Sequence, residues 1–404
     1  MSTSLLYHAF GVRGYQYAST SFVEGQIVFR VKPKRENCRC AACGSADVTL
    51  RGGIERTWRT LPIGHKPAKI ALRVPRVHCT SCGVVRQIEV GFAQARRRHT
   101  KAFARYALEL LRHMTIQDVA QHLGVSWDVI KEIQRRDLQR RFARPKLKHL
   151  RRIAIDEIAV VKGHRYLTVV LDLESGRVVF VGDGKGGDAL LPFWKRLKAS
   201  RAKIEAVAMD MSAAYIAAVG KYLPDAAIVF DHFHVIKLMN EKLTALRRQL
   251  YREAADRLHK DVLKGTRWLL LKNPEHLDSK RDEPQRLQEA LRLNQPLATA
   301  YYLKEDLRQL WDQPHKTAAW NFLTSWYLRA MSSGIRIIRQ FARTLIGHMW
   351  GLLAWYDYPI STGPLEGTNN KIKTMKRQSY GFRDQDFFKL KIYALHESKY
   401  ALVG

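Results

Sequence analysis

Two pairs of closely spaced cysteines constrain the fold of this 404-residue chain more than any other feature of its sequence. The first pair is Cys40 and Cys43 and the second is Cys79 and Cys82, and a glycine follows each pair, where a tight turn needs a permissive residue. Four thiolates at this spacing suit tetrahedral Zn²⁺ in a closed structural site. We therefore expect an N-terminal zinc domain in which a β-hairpin fills the segment between the pairs, as in a zinc ribbon.

A fifth cysteine, Cys38, breaks this pattern and could replace Cys40 as a ligand. All five cysteines lie in the first quarter of a large basic chain, which favours metal ligation over a disulfide framework. A set of buried reduced thiols is the alternative, and the pairing of the two motifs disfavours it.

The charge of the chain indicates its partner. There are 69 Lys and Arg against 37 Asp and Glu, so the formal net charge is +32. Such an excess favours nucleic acid, bound with salt-sensitive affinity, and a basic membrane-surface protein is the alternative. No apolar run approaches the roughly 18 residues of a transmembrane helix, and the N-terminus does not resemble a signal peptide. We expect a cytoplasmic, nucleoid-associated bacterial protein.

Residues 115–134 predict a helix-turn-helix. Apolar residues from Ile116 to Leu123 line one face of a first helix, Gly124 lies at the turn, and Ser126 can cap a second helix. Exposed side chains of the second helix would face the major groove, and the arginines that follow would contact phosphates. A plain helical hairpin inside a core is the alternative. The residues expected to contact DNA are Trp127, Lys131, Arg135 and Arg136.

Three carboxylates indicate a catalytic metal site. Asp156 and Asp210 each end a predicted strand, and Glu366 opens a predicted helix. Such hard oxygen donors suit Mg²⁺ or Mn²⁺, and two ions would activate the attacking oxygen and stabilise the leaving one. Glu157 adjoins Asp156, but successive strand residues face opposite ways, so only one of them points to the metals. Asp172, at the end of the neighbouring strand, could assist.

Amides and cations follow Glu366 on its helix. Glu366, Asn369, Asn370 and Lys373 share one face because they fall at i, i+3, i+4 and i+7. This face would offer a metal ligand, two amides and a cation to the DNA being cut, and a plain polar face is the alternative. The residues expected to contact DNA here are Asn369, Asn370, Lys371, Lys373, Lys376, Arg377 and Arg383.

Together these motifs resemble the DDE transposases of bacterial insertion sequences, specifically the ISL-three group. The resemblance implies an RNase H-like core interrupted by a helical insertion, with Asp156, Asp210 and Glu366 as the catalytic triad. Asp231 and His234 match an Asp-x-x-His element of several transposase groups and would support the metal site or contact DNA. The matching segments are the paired cysteines, TLPIG at 60–64, the helix-turn-helix, IDE at 155–157, DHFHVIK at 231–237 and GPLEGTNNKIKTMKRQSYGFR at 363–383.

The predicted fold is multidomain, α+β and α/β. The predicted elements after residue 150 are three strands, followed by alternating helices and strands. The resemblance implies that these elements form an RNase H-like mixed sheet. The expected domains are a zinc-ribbon-like β-rich domain (1–95), a helix-turn-helix (96–145), the first part of the catalytic core (146–238), an all-helical insertion (239–355) and the C-terminal helices of the core (356–404).

The resemblance implies a cut-and-paste transposase that acts as a homodimer. It would bind terminal inverted repeats, cut double-stranded DNA with Mg²⁺ or Mn²⁺, and transfer the freed 3′-hydroxyl end into target DNA. Arg267 and Trp268 of the insertion would grip the transposon end or stack on a flipped base. Two alternatives remain: a non-catalytic, domesticated DNA-binding regulator, and a recombinase that forms a covalent intermediate through Ser or Tyr, for which Tyr380 is the nearest candidate.

Overall fold

The structure, a computed structural model, describes residues 4–161, 165–254, 260, 262–264 and 266–396. The chain divides into two units: Met1–Ala143 with Gln378–Gly404 form unit 1, and Arg144–Arg377 form unit 2. This division differs from the predicted boundaries, which kept the C-terminal residues with the catalytic core.

Unit 1 contains a five-stranded sheet that carries the cysteine pairs. Its strands are β1 (Tyr15–Val23), β2 (Gln26–Pro33), β3 (Val48–Ile63), β4 (Lys66–Cys79) and β5 (Val85–Gln87). The order is β1-β2-β4-β3, with β5 also on β4. β3 and β4 form an antiparallel hairpin in which Val48 lies opposite Cys79. The hairpin therefore brings the two cysteine pairs together, as the sequence predicted.

The first helices of unit 1 include the predicted helix-turn-helix. They are α1 (Leu5–His8), α2 (Lys101–Leu110), α3 (Ile116–Leu123) and α4 (Trp127–Phe142). A capping box between Thr115 and Asp118 starts α3, and Gly124 ends it in the left-handed region with φ +59°. Ser126 occupies the cap position of α4, but the predicted capping bond is wrong, because its side chain accepts no hydrogen bond from the helix.

Unit 2 is built on a mixed five-stranded sheet. The strands are β6 (Arg152–Val161), β7 (Arg165–Asp172), β8 (Val178–Asp183), β9 (Ala206–Met209) and β10 (Ala227–Phe230). Their order is β10-β9-β6-β7-β8. β6, β7 and β8 are antiparallel, while β9 and β10 run parallel to β6. This arrangement confirms the predicted mixed sheet.

Helices dominate the rest of unit 2. They are α5 (Leu191–Ser200), α6 (Ala213–Tyr222), α7 (His232–Glu253), α8 (Arg267–Leu271), α9 (Glu283–Leu293), α10 (Gln295–Arg308), α11 (Lys316–Ser332), α12 (Arg336–Gly347), α13 (Met349–Leu353) and α14 (Gly363–Gln378). One apolar core joins the sheet, through Val207 and Met209, to helical residues such as Trp326 and Phe341. In the described parts of the chain, no helix is both long and apolar enough to cross a bilayer.

A last helix, α15 (Gln385–Tyr393), returns to the helix-turn-helix. Its residue Phe387, and Ala394 just after it, form an apolar cluster with Leu138 of α4. Burial of this apolar surface is the physical reason why the C-terminal residues belong to unit 1.

We predict that Gly351→Ala destabilises unit 2. A Cβ at Gly351 in α13 would lie 2.4 Å from the Phe230 ring, and that ring is fully buried. Overpacking of this kind costs about 1–3 kcal/mol, measurable by urea unfolding followed through tryptophan fluorescence. Gly220→Ala is the matched control, because a Cβ there meets nothing within 4 Å and Ala is favoured over Gly in a helix by about 0.5–1 kcal/mol. Equal stability of the two variants would contradict this packing.

Candidate active site and DNA-binding residues

The four paired cysteines form a compact thiol cluster. Cys40 Sγ lies 3.7 Å from Cys82 Sγ, and Cys43 Sγ lies 3.5 Å from Cys79 Sγ. All four sulfur atoms fall within 4.8 Å of one another, and four thiolates at about 2.3 Å from a tetrahedral Zn²⁺ would be roughly 3.8 Å apart. The N–H groups of Cys43 and Ala42 lower the pKa of the Cys40 thiol, which favours the thiolate. The geometry and the donors therefore fit a structural zinc ion.

Cys38 stands outside this cluster. Its side chain is buried, its Sγ lies 3.8 Å from the carbonyl oxygen of Lys34, and burial raises the pKa of its thiol. The expectation that Cys38 could replace Cys40 is therefore wrong, because Cys40 reaches the cluster and Cys38 does not.

Asp156 and Asp210 come together at the centre of the unit 2 sheet. The structure corrects the prediction that Asp156 ends a strand: it lies in the middle of β6, opposite Val169 of β7. Pairing of β6 with β9 stops at Ala154, so Asp156 lies just beyond the shared edge, and Asp210 follows β9 directly. Burial raises the pKa of the Asp156 carboxyl, and the charge of Asp210 adds to the increase. A cation would relieve this unfavourable pair of charges.

Glu366 lies in the first turn of α14, as predicted. One turn later, Asn369 is buried and its Nδ2 donates to Asp156 Oδ2 at 2.7 Å. Asn369 Oδ1 is also buried and has no hydrogen-bond partner. The helix that carries Glu366 is thus held against Asp156 by a contact that sequence analysis did not predict, and the DNA contact expected of Asn369 stays a prediction.

The three carboxylates do not converge as tightly as the cysteines do. Across the residues that the structure describes, only the cysteine cluster brings three or more potential ligand atoms within 4.8 Å. The donors still suit a divalent cation chemically, since they are hard oxygens, two of the carboxylates interact electrostatically, and the orphaned Asn369 Oδ1 is a further oxygen beside them.

Glu157 and Asp172 differ in their relation to this site. Burial raises the pKa of Glu157, and the charge of Asp210 raises it further. Glu157 therefore interacts electrostatically with Asp210, as Asp156 does. Asp172 lies opposite Ile153, away from Asp156, and its carboxylate accepts the N–H groups of Glu174 and Ser175. The expected assistance from Asp172 is therefore wrong, because its carboxylate stabilises a turn.

Asp231 joins two distant segments beside the carboxylates. Its buried carboxylate accepts the Thr362 N–H at 3.0 Å on Oδ1 and lies 3.2 Å from His234 Nδ1 on Oδ2. Burial alone would raise the pKa of Asp231, but the hydrogen bonds from His234 and Thr362 hold it below its usual value. Thr362 precedes α14 and accepts the Glu366 N–H at 2.8 Å. Sequence analysis singled out Asp231 and His234 but missed Thr362, which no spacing pattern connects to them.

Asp156 also influences His234. Burial would lower the pKa of the imidazole, but its hydrogen bond with Asp231 and the charges of Asp156 and Asp210 outweigh this effect and raise it. His234 therefore belongs to the same electrostatic cluster as the two aspartates.

Two cations of helix α4 form ion pairs with the C-terminal segment of unit 1. Lys131 Nζ lies 2.9 Å from the Asp384 carboxylate, and Arg135 pairs with the same oxygen. The Lys131 side chain is only 19% exposed and lies against the rings of Trp127 and Phe387. The expectation of an exposed Lys131 is wrong because α15 packs on α4, whereas Trp127 and Arg136 are exposed.

The cations after Glu366 occupy the open side of α14 and the segment that follows it. The helix buries one face, which consists of Leu365, Thr368, Asn369, Ile372 and Met375. The cations of α14 lie on the other faces of the helix. Contact of these residues with DNA stays a prediction. Asn370, Lys371, Lys373, Arg377 and Arg383 are exposed, and Lys376 is partly exposed.

Three family models match consecutive parts of the chain. Residues 36–82 match the zinc-finger of transposase IS204/IS1001/IS1096/IS1165, and residues 88–137 match the helix-turn-helix domain of transposase family ISL3. Residues 153–392 match the DDE transposase model of the same family. The matches cover the zinc cluster, the recognition helix and all three carboxylates.

Curated relatives extend over nearly the whole chain. The transposase for insertion sequence element IS1001 of Bordetella parapertussis is 35% identical over 369 residues, which are 90% of each chain. The transposase for insertion sequence element IS1557 of Mycobacterium tuberculosis is 30% identical over 386 residues, covering 89% of this chain and 86% of the relative. The solved Drosophila P element transposase strand transfer complex is similar at 10% identity with a TM-score of 0.36, over 64% of this chain and 79% of that one.

A zinc ribbon, a helix-turn-helix and a mixed-sheet core that matches the transposase model define a DDE transposase, an enzyme that binds DNA, cleaves it and transfers its strands. The chain belongs to the ISL3 family of these transposases. This assignment confirms the resemblance, the fold class and the enzyme class predicted from the sequence, and it implies a divalent metal in the catalytic domain. It disfavours the recombinase that would act through Tyr380.

Cys43→Ser should impair zinc binding. Loss of a direct ligand should weaken zinc affinity by more than the roughly 10–100-fold typical of losing a ligand's outer hydrogen-bond partner, as measured by competition with a chelating dye. Cys38→Ser is the matched control and should bind zinc like the wild type, because Cys38 lies outside the cluster. Loss of zinc in the Cys38 variant instead would overturn the ligand set.

Asp384→Asn should reduce the stability of unit 1 by about 1 kcal/mol or less, since the ion pairs are partly exposed. Asn caps α15 as well as Asp does, so the substitution removes only the charge. Burial would raise the pKa of Asp384, but the Phe387 N–H and the cations Lys131 and Arg135 hold it below its usual value. This stabilisation is therefore present above the unfolded-state pKa of about 3.9 and is lost as the pH falls through the lower folded-state pKa.

Urea unfolding of the wild type and of Asp384→Asn at neutral and acidic pH tests this expectation. The difference in the free energy of unfolding between the two proteins should be smaller at the acidic pH. If this difference in the free energy of unfolding does not change with pH, the charge of Asp384 does not contribute to the stability of unit 1.

Proposed function

We propose that this transposase binds the terminal inverted repeats of its insertion sequence, cuts one strand at each end and joins the freed 3′-hydroxyl to target DNA. The observation that carries this proposal is the pairing of Asp156 with Asp210 beside a helix that presents Glu366 and is bonded to Asp156 through Asn369. In the first step water attacks the scissile phosphorus and the bond to the 3′-oxygen breaks. In the second step that 3′-hydroxyl attacks a target phosphorus and releases a target 3′-hydroxyl.

The carboxylates of Asp156, Asp210 and Glu366 would hold the divalent metal, which we propose is Mg²⁺, with Mn²⁺ as a substitute. The bound metal would stabilise charge on the attacking and leaving oxygens. The donors on the chain remain the same during both steps.

Asp231 and His234 support the site rather than react. Asp231 anchors Thr362, and Thr362 accepts the Glu366 N–H, so the carboxylate sets where α14 begins. His234 Nδ1 lies 3.2 Å from Asp231 Oδ2, and the imidazole interacts electrostatically with Asp156 and Asp210. A substitution at Asp231 should therefore act on the position of Glu366.

The N-terminal part of the chain would supply sequence recognition. Trp127 and Arg136 are exposed on α4, as a recognition helix requires, and the zinc ribbon would contact flanking phosphates. The cations of α14 would hold the strand that is cut. We further propose that a homodimer pairs the two ends and that the protein works on DNA of the nucleoid.

Substitution of each carboxylate tests the catalytic assignment. Asp156→Ala, Asp210→Ala and Glu366→Ala should each lower cleavage and joining of inverted-repeat DNA by about 100-fold or more, because each removes a group that stabilises transition-state charge. The assay is strand cleavage on labelled element ends with Mg²⁺ or Mn²⁺, and binding to the same ends should be retained.

Asp225→Ala is the matched control, since Asp225 is an exposed carboxylate of the same unit and lies outside the site. Normal cutting by all three variants would refute the site assignment. If the wild type binds the ends but cuts none of them with either metal, the chain is a domesticated DNA-binding regulator instead.

A further inference from the structure

A groove runs along one face of α7 and reaches α8 within unit 2. It is open to solvent, has a volume of about 460 Å³, and is lined on α7 by Phe233, Lys237, Asn240 and Arg248 and on α8 by Arg267. Phe233 and Arg248 are fifteen positions apart, so the face extends for roughly 22 Å at 1.5 Å per residue. Neither the family match nor the proposed chemistry assigns a role to this groove.

One end of the groove lies at the carboxylates. Phe233 immediately precedes His234, whose Nδ1 lies 3.2 Å from the Asp231 carboxylate. Asp231 in turn accepts the Thr362 N–H at the start of the helix that carries Glu366. A strand whose phosphate lies at the carboxylates would therefore continue into the groove.

The lining is positive and carries an open aromatic face. Lys237, Arg248 and Arg267 face a single lining acid, Glu241. Arg248 and Arg267 lie close enough that their charges, after burial, lower the pKa of the neighbouring Arg247 guanidinium. Cations crowded in this way favour an anion between them, and the phosphates of a nucleic acid strand would supply it.

Two further features point to a nucleobase. Phe233 is a large apolar side chain that remains 42% exposed, and aromatic faces of this kind stack on bases in single-strand sites. Asn240 also lines the groove, and its side-chain amide offers both a donor and an acceptor to the edge of a base. The cavity has the size of a small-molecule site and is too small for a duplex.

We propose that this groove binds unpaired nucleotides of the DNA strand adjoining the scissile phosphate. A base stacks on Phe233, the Asn240 amide hydrogen-bonds the edge of the base, and Arg248 and Arg267 contact the following phosphates. This assigns the stacking role to Phe233 rather than to Trp268, whose ring lies 4.6 Å from the Arg267 guanidinium. The inference rests on the proposed function, because the groove begins at the proposed catalytic carboxylates.

Binding of a single-stranded oligothymidine with one 2-aminopurine reporter base tests the proposal in the full chain. Phe233→Ala and Arg248→Ala should each weaken binding about tenfold. Stacking quenches 2-aminopurine, so Phe233→Ala should restore its fluorescence, whereas Phe233→Trp should keep both the quenching and the affinity. Binding to a fully paired duplex of the inverted repeat should change little, because the helix-turn-helix remains intact.

Arg292→Ala is the matched charge control, since Arg292 is an exposed cation of α9 that does not line the groove. An equal loss in this variant would show general charge attraction and overturn the proposal. The proposal would also be overturned if 2-aminopurine remained quenched in Phe233→Ala while this variant unfolded at the same temperature as the wild type. This experiment measures binding and not cleavage, so its result can be interpreted even if the carboxylate variants cut DNA normally. Conversely, a negative binding result would not contradict the assignment of the catalytic carboxylates.

Discussion

The buried carboxylate of Asp231 is the contact on which the proposed active site depends most. It caps α7 and holds Thr362, 131 residues away, at the entry to α14. A buried charge is tolerated only where hydrogen bonds satisfy it, and here the Thr362 N–H and His234 do so on separate oxygens. Asp231 and Thr362, which lie on either side of the helical insertion, are therefore joined at one polar point.

The same pattern of a distant segment held by a few polar contacts recurs in unit 1. The zinc cluster closes the β3–β4 hairpin, and binding of a metal of this kind contributes directly to folding free energy. Asp384 draws Lys131 and Arg135 of the recognition helix toward the C-terminal segment. Two cations that composition alone would assign to DNA thus have an intramolecular partner, and the surface that remains open on α4 centres on Trp127 and Arg136.

Local patterns predicted local structure well. The cysteine pairs, the glycine turn of the helix-turn-helix and the strands of the mixed sheet follow from residue spacing, since each depends on neighbours within a few residues. Prediction was poorer where partners are remote. Asp156 lies inside β6 because β7 pairs with the strand past the point where β9 ends, and Asp172 serves a turn that only the sheet register reveals.

The sequence by itself determined the chemical inventory: four thiolates for zinc, an amphipathic helix pair, and three carboxylates in a basic chain. The identity and spacing of these residues are properties of the sequence and do not depend on how the chain folds. Only the tertiary structure decided which groups meet, because the Asn369 bond to Asp156, the Asp231 bond to Thr362 and the groove along α7 join residues far apart in the chain. Such contacts depend on how the helices and strands pack against one another, and the periodicity of the sequence does not predict that packing.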